Sequence, residues 1–252
     1  VGLHAHVRTG RIVAEQSLTF TAENETRWGL ALSLGAPSPA SSWSLPGVVP
    51  EDGASHAVLV ANFDTSATEV EITPRFDEPG STRPQPVPVG GRSVAVVDLA
   101  SLSDSDAPLA FDVRTTRASP VVVEELASWG PPAAATGSAT TLASPVQAAG
   151  WAFAAGRLTP EGDAGVSVLN PNRQSATVRL LAYASGGGDE PTRVGELRVP
   201  ARGQARFDLV ELGVAPDQVV VVRADAPVVA AGRIVGPTGA SLALGVAEPG
   251  AG

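Results

Sequence analysis

Two stretches of the chain run in register at one fixed separation, and that duplication limits the possible folds more than any other feature. Trp43 and Trp151, Asn62 and Asn170, and Val70 and Val178 all stand 108 residues apart. The run Leu59-Val60-Ala61-Asn62-Phe63, continued by Thr68-Glu69-Val70, answers to Val168-Leu169-Asn170-Pro171, continued by Ala176-Thr177-Val178. A constant offset over so many positions describes one folding unit used twice. Its period is that of a whole domain, well above the roughly 20–50 residues of a solenoid repeat. The 252-residue chain therefore reads as two units, 37–148 and 149–252, each long enough to bury its own core.

Within each unit the strand signals are short and frequent. Residues 56–63 are mostly apolar, and 68–76 alternate, with Val70, Ile72 and Phe76 on one face and Glu69 and Glu71 on the other. The stretches 92–99, 109–115 and 120–127 follow, rich in Val and bounded by turn residues. The second unit repeats the order at 165–169, 177–183, 196–199, 204–209, 218–224 and 227–235. No apolar period of 3.6 residues persists for three turns. Asn170-Pro171-Asn172 and Asn62-Phe63-Asp64 occupy matching turns, as do Gly90-Gly91 and Arg202-Gly203. This pattern predicts an all-β fold of tandem immunoglobulin-like β-sandwiches. The connection between units is short, 144–150, which predicts a semi-rigid rod.

Residues 1–36 do not belong to either unit. Arg11-Ile12-Val13-Ala14-Glu15 resembles both Pro120-Val121-Val122-Val123-Glu124 and the run from Pro227-Val228-Val229, while Leu32-Ser33-Leu34-Gly35 echoes Leu242-Ala243-Leu244-Gly245. The segment reads as the terminal strands of a truncated preceding repeat, expected to pack on the next unit because bare strand edges aggregate.

Composition excludes several functions. The net charge is −9, and all 17 basic residues are Arg, so no basic stripe suits nucleic acid or an anionic membrane surface. There is no Cys and no Met, which removes disulfides, thiolate metal sites and cysteine nucleophiles and suits an oxidising compartment. A GC-rich coding sequence is the alternative source of that bias. No apolar run is long enough to span a bilayer. Residue 1 is Val, so the chain is read as a processed or excised fragment, with any membrane attachment through an anchor outside it.

Chemistry-bearing clusters are sparse. His4 and His6 would share one face of a strand, but a metal needs further ligands, and exposed strand histidines are the plainer reading. All three histidines precede residue 57, and no nucleophile elbow or phosphate loop appears, so no enzyme, metal or cofactor is expected. Glu124 and Glu125 are adjacent and would point to opposite faces of a strand, unlike a glycosidase pair. Asp104 and Asp106 form an acidic loop that could offer oxygens to calcium or simply be solvated. Trp43 and Trp151, matched by the repeat, are read as core, and the matched Asp98 and Asp208 as turn or capping residues. Trp28 and Trp129 break the repeat beside Gly and Pro and are placed in loops. There they would either stack on a sugar or dock a protein, or else cover an open sandwich end.

Val168-Leu169-Asn170-Pro171-Asn172, Val199-Pro200-Ala201-Arg202-Gly203, Asp225-Ala226-Pro227-Val228-Val229-Ala230 and Arg11-Ile12-Val13-Ala14-Glu15-Gln16 together resemble an uncharacterised family of actinobacterial secreted or cell-envelope proteins, a domain of unknown function built from repeated sandwich-like units. The likeness covers most of residues 7–247, although the first copy departs from it with Phe63 where Pro follows the Asn. It implies an extracytoplasmic location and supplies no catalytic residue. The expectation is a non-enzymatic structural or interaction module that presents loops or edge strands to an envelope protein. The alternative is a carbohydrate-binding module that meets cell-wall glycan through an exposed Trp.

Overall fold

In the computed structural model, residues 3–6, 8–9, 12–20, 29–77, 82–103, 107–117, 119–133, 135–154, 162–184, 190–237 and 239–248 are described. A hairpin of β1 (Glu15–Phe20) and β2 (Gly29–Leu34) comes first. Then follow β3 (Ser42–Val48), β4 (Ala54–Asn62), β5 (Thr68–Arg75), β6 (Gln85–Val89), β7 (Ser93–Asp98), β8 (Leu109–Thr115), β9 (Val122–Trp129) and β10 (Gly137–Leu142). These make two antiparallel sheets, ordered β10-β9-β4-β7 and β3-β8-β5-β6. The remaining strands are β11 (Ala148–Ala154), β12 (Asp163–Leu169), β13 (Ala176–Tyr183), β14 (Thr192–Val199), β15 (Gln204–Asp208), β16 (Val219–Gly236), β17 (Gly239–Leu244) and β18 (Val246–Ala247). The order β14-β13-β16-β11 repeats β6-β5-β8-β3, and β15-β12-β16-β17 repeats β7-β4-β9-β10. The protein is all-β, and the same arrangement of paired sheets occurs twice.

Alternation drives the burial. In β5 the buried side chains are Thr68, Val70, Ile72 and Pro74, and in β13 they are Ala176, Val178, Leu180 and Ala182, in the same two-residue rhythm. One core collects Trp43, Val60, Ile72, Phe111 and Val123 from both sheets of the first sandwich. Another collects Trp151, Val168, Leu180, Phe207 and Val222 from the second.

The matched residues have matched partners. Trp43 Nε1 donates to the Ala40 and Val121 carbonyls at 3.2 and 2.9 Å, and Trp151 Nε1 donates to those of Ala148 and Val228 at the same two distances. The Asn62 amide donates to the Ser66 and Gly90 carbonyls, while its Oδ1 accepts from the Asp64 N–H. Asn170 bonds Gln174, Pro200 and Asn172 in the same way. Arg92 and Arg202, with φ of 49° and 53°, turn the matching hairpins. Asp98 accepts from the Ala100 N–H at the start of a single 3-10 turn, and Asp208 accepts from Val210 and Glu211. Asn62 and Asn170 are 1% and 0% exposed, and truncation removes at each turn two amide donations to backbone carbonyls and one acceptor for a backbone N–H. Asn62→Ala and Asn170→Ala should each lower stability by about 2 kcal/mol, to be read from urea midpoints at unchanged slope.

The structure departs from the sequence pattern in three places. The stretches 218–224 and 227–235 form the single strand β16, which pairs with β11 and β13 in one sheet and then with β12 and β17 in the other. Trp129 is not in a loop: it ends β9 and is fully buried. The two halves also meet laterally, β10 against β17 and β3 against β12 and β16, whereas a rod would join them only through the short connection 143–147.

Candidate interaction surface

The β1–β2 hairpin packs on the first sandwich, with β2 against β10. Ala31 is buried there, and the Ser33 hydroxyl donates to Glu124 Oε1 at 2.7 Å, an atom that also accepts from Thr140. The opposite face is open. Leu30, Leu32 and Leu34 are 59%, 52% and 60% exposed, beside the exposed Glu15, Ser17 and Thr19. Strand alternation in Leu30-Ala31-Leu32-Ser33-Leu34 puts all three leucines on that face. Isolated surface leucines are ordinary, but a contiguous apolar stripe marks a contact site.

The hairpin also has a free edge. Strand β9 lies between β10 and β4, and β16 between β17 and β12. Among the described residues, β1 pairs with β2 alone. One row of its backbone donors and acceptors is thus available for strand addition. Two other edges are blunted: β6 carries Pro86 and Pro88, and β14 carries Arg193, Glu196 and Arg198. The Glu196 carboxyl sits below its ordinary range because Arg179, and less strongly Arg193, donate to it.

A second cluster of polar groups lies where the two sandwiches meet. Trp129 Nε1 and Arg233 Nη2 both donate to Glu51 Oε1, and the Arg233 guanidinium stands 5.6 Å from the indole centroid. Arg233 also pairs with Asp163 at 3.1 Å. Below the indole, His56 Nδ1 donates to Glu125 at 2.9 Å, and the imidazole meets the Trp129 ring edge-on at 5.8 Å. A carboxylate-oriented imidazole supplies two of the three members of a catalytic triad, but both side chains are almost fully buried, closed to a substrate. The cluster, bordered by Ala127, Ala135, Ala139 and Val235, serves packing between the halves.

A cleft of about 710 Å³ lies at the Asn62 turn, lined by His4, Asn62, Phe63, Arg92, Ser93 and Val94. The Asn62 and Ser93 side chains there are engaged by backbone carbonyls. Nearby, the Asp64 carboxyl is held below its usual range, chiefly by the Ser66 N–H and then by Thr65.

The sequence-derived candidates fare differently. Trp28, Asp104 and Asp106 lie outside the described residues. Trp129, with 0% exposure, offers no ring face to a sugar or a partner, which corrects its placement as a contact residue. His4 and His6 are exposed, far in environment from the buried His56. No three His, Cys, Asp or Glu side chains are grouped to hold a metal among the described residues. Glu124 and Glu125 do point to opposite faces, the former to Ser33 and Thr140 and the latter to His56. The leucine stripe was legible as plain alternation; its exposure was not, because alternation leaves open which face is covered.

A family model described as "Family of unknown function (DUF5719)" matches residues 10–250. No curated protein matches the chain. Among solved structures, a Thermotoga maritima protein titled 1070 shares 16% identity at a TM-score of 0.38, over 42% of this chain and 95% of that one. A Bacteroides uniformis β-glucuronidase shares 9% identity at a TM-score of 0.20, over 92% of this chain, which spans only 31% of that enzyme. Both scores are too low to carry an argument about activity.

Proposed function

We propose, from the premise that this chain belongs to the family of unknown function DUF5719, that it is a non-enzymatic interaction module of the bacterial cell envelope. In this reading a pair of immunoglobulin-like sandwiches is a rigid mount, and the β1–β2 hairpin is what it presents to a protein partner. The open Leu30, Leu32 and Leu34 face carries the proposal, with the unpaired β1 edge beside it. An apolar face next to a free strand edge can bind by hydrophobic contact and by added main-chain hydrogen bonds together. The sulfur-free composition supports an extracytoplasmic, oxidising location. Cell-wall glycan loses its support at Trp129, whose indole is buried.

A photo-crosslinking amino acid placed at Leu32 in the cell tests this. Covalent adducts with a protein of the envelope fraction are expected. Absence of any protein adduct, together with retention of the purified chain on insoluble cell-wall polysaccharide, would replace this reading with the carbohydrate one.

A further inference from the structure

Three hairpins in the chain share one register. The Gly35 N–H bonds the Ala14 carbonyl at 2.8 Å, Ala143 bonds Val123 at 3.0 Å, and Gly245 bonds Ala230 at 3.2 Å. Counting back from these bonds aligns Leu34 with Leu142 and Leu244, and Leu32 with Thr140 and Leu242. It likewise aligns Ser33 with Thr141 and Ala243, and Ala31 with Ala139 and Ser241. Because side chains alternate across a strand, the second strand of each hairpin carries the first set on one face and the second set on the other, and on that strand the second set is small in all three hairpins.

The hairpins stack in one direction, the small face of one against the opposite face of the next at both joints. The small face of the first hairpin rests on the second: Ala31 is buried, and Ser33 shares Glu124 Oε1 with Thr140. The small face of the second rests on the third: Ala139 packs with Ala240 and Leu242, and Thr141 Oγ1 accepts from the Leu244 N–H at 3.2 Å. The middle hairpin is consequently covered on both sides, with Ser138, Ala139, Thr140 and Thr141 all buried. Each outer hairpin keeps one open face, and the two open faces are the complementary ones. Leu30, Leu32 and Leu34 are bare at one end, and Ser241 and Ala243 at the other.

A contact between unlike faces leaves one of each face unused at the ends of the stack, so it can continue between molecules as a ring or an open filament. We infer that a second copy of this chain seats its Ser241 and Ala243 face on the Leu30, Leu32 and Leu34 stripe, extending the internal stack into a head-to-tail assembly. This rests on the leucine face being an interaction surface and names its occupant. The intermolecular joint is weaker than the internal ones, since Ala243 lacks the hydroxyl with which Ser33 reaches Glu124 and Thr141 reaches Leu244.

Sedimentation velocity of the 252-residue chain, run from about 1 to 500 μM, reads this directly, the range bracketing a joint of ordinary weak affinity. The sedimentation coefficient is expected to rise with concentration without levelling at a dimer. Leu32→Asp and Ala243→Arg change exposed residues and should leave the thermal melt unchanged while abolishing the rise. An equimolar mixture of the two variants retains one working face on each molecule and should form a complex that stops at 1:1. Ala243→Ser, which returns the hydroxyl, should tighten wild-type association several-fold. A wild-type chain that stays monomeric throughout, association that survives Leu32→Asp, or a mixture that stays monomeric would each overturn the inference. A monomeric chain that still gives envelope-protein adducts from Leu32 would leave the interaction reading intact and remove only self-assembly.

Discussion

Replacing Trp43 or Trp151 by alanine is expected to destabilise the sandwich that holds it by about 3–5 kcal/mol. Each indole is 1% exposed and lies in the core of its own half, so truncation removes a large apolar volume that neighbouring strands cannot refill. Each also donates to two backbone carbonyls, which would lose a partner. Trp→Phe at either site should recover part of the loss by restoring most of the volume without the N–H. Denaturant unfolding followed by circular dichroism gives the numbers. The matched geometry requires losses of similar size at the two positions, and a site that tolerates alanine with an unchanged midpoint would refute its core role.

A loss of about 3 kcal/mol is expected from Glu51→Ala, near the low end for removing a partner from a buried charge, here the Arg233 guanidinium. Arg233 is 3% exposed and would keep only Asp163 as counter-charge, while the Trp129 N–H would lose its acceptor. Because these residues join the two halves, the damage should fall on their coupling. The unfolding transition of Glu51→Ala should broaden or split, and that of the parent is expected to be single. Replacing both charges, Glu51→Ala with Arg233→Met, should restore much of the stability, since no buried charge is then left unpaired. If the double variant is no more stable than Glu51→Ala alone, the ion pair is not what holds the halves together.

Features set by local pattern or by the repeat were readable in advance, and those set by distant partners were not. The 108-residue offset led correctly to the shared settings of Trp43 and Trp151, because duplicated residues meet duplicated neighbours. Alternation located β5 and β8 to within a residue or so. Strand β6 escaped because Pro86 and Pro88 read as loop, although an edge strand tolerates them. Strand β3 escaped because Ser42, Ser44, Pro46 and Gly47 dilute its apolar signal; its burial comes from pairing with β8 and packing beside β12. The burial of Trp129 depends on Glu51, 78 residues earlier, and on Arg233 from the other half. Nothing around Gly130 and Pro131 announces those partners. The candidate surface was half visible: Leu30-Ala31-Leu32-Ser33-Leu34 shows two faces, but only the packing of β2 on β10 tells which is left bare.

In the first half, β8 and β9 belong to different sheets and are separate elements joined by residues 116–121. In the second half, β16 runs uninterrupted through both ladders. A pull on that strand is therefore borne by two layers at once, and the layers cannot slide apart while it stays whole. The first half has a seam at the corresponding point; the second is sewn shut, and it is the end expected to yield later in a pulling experiment.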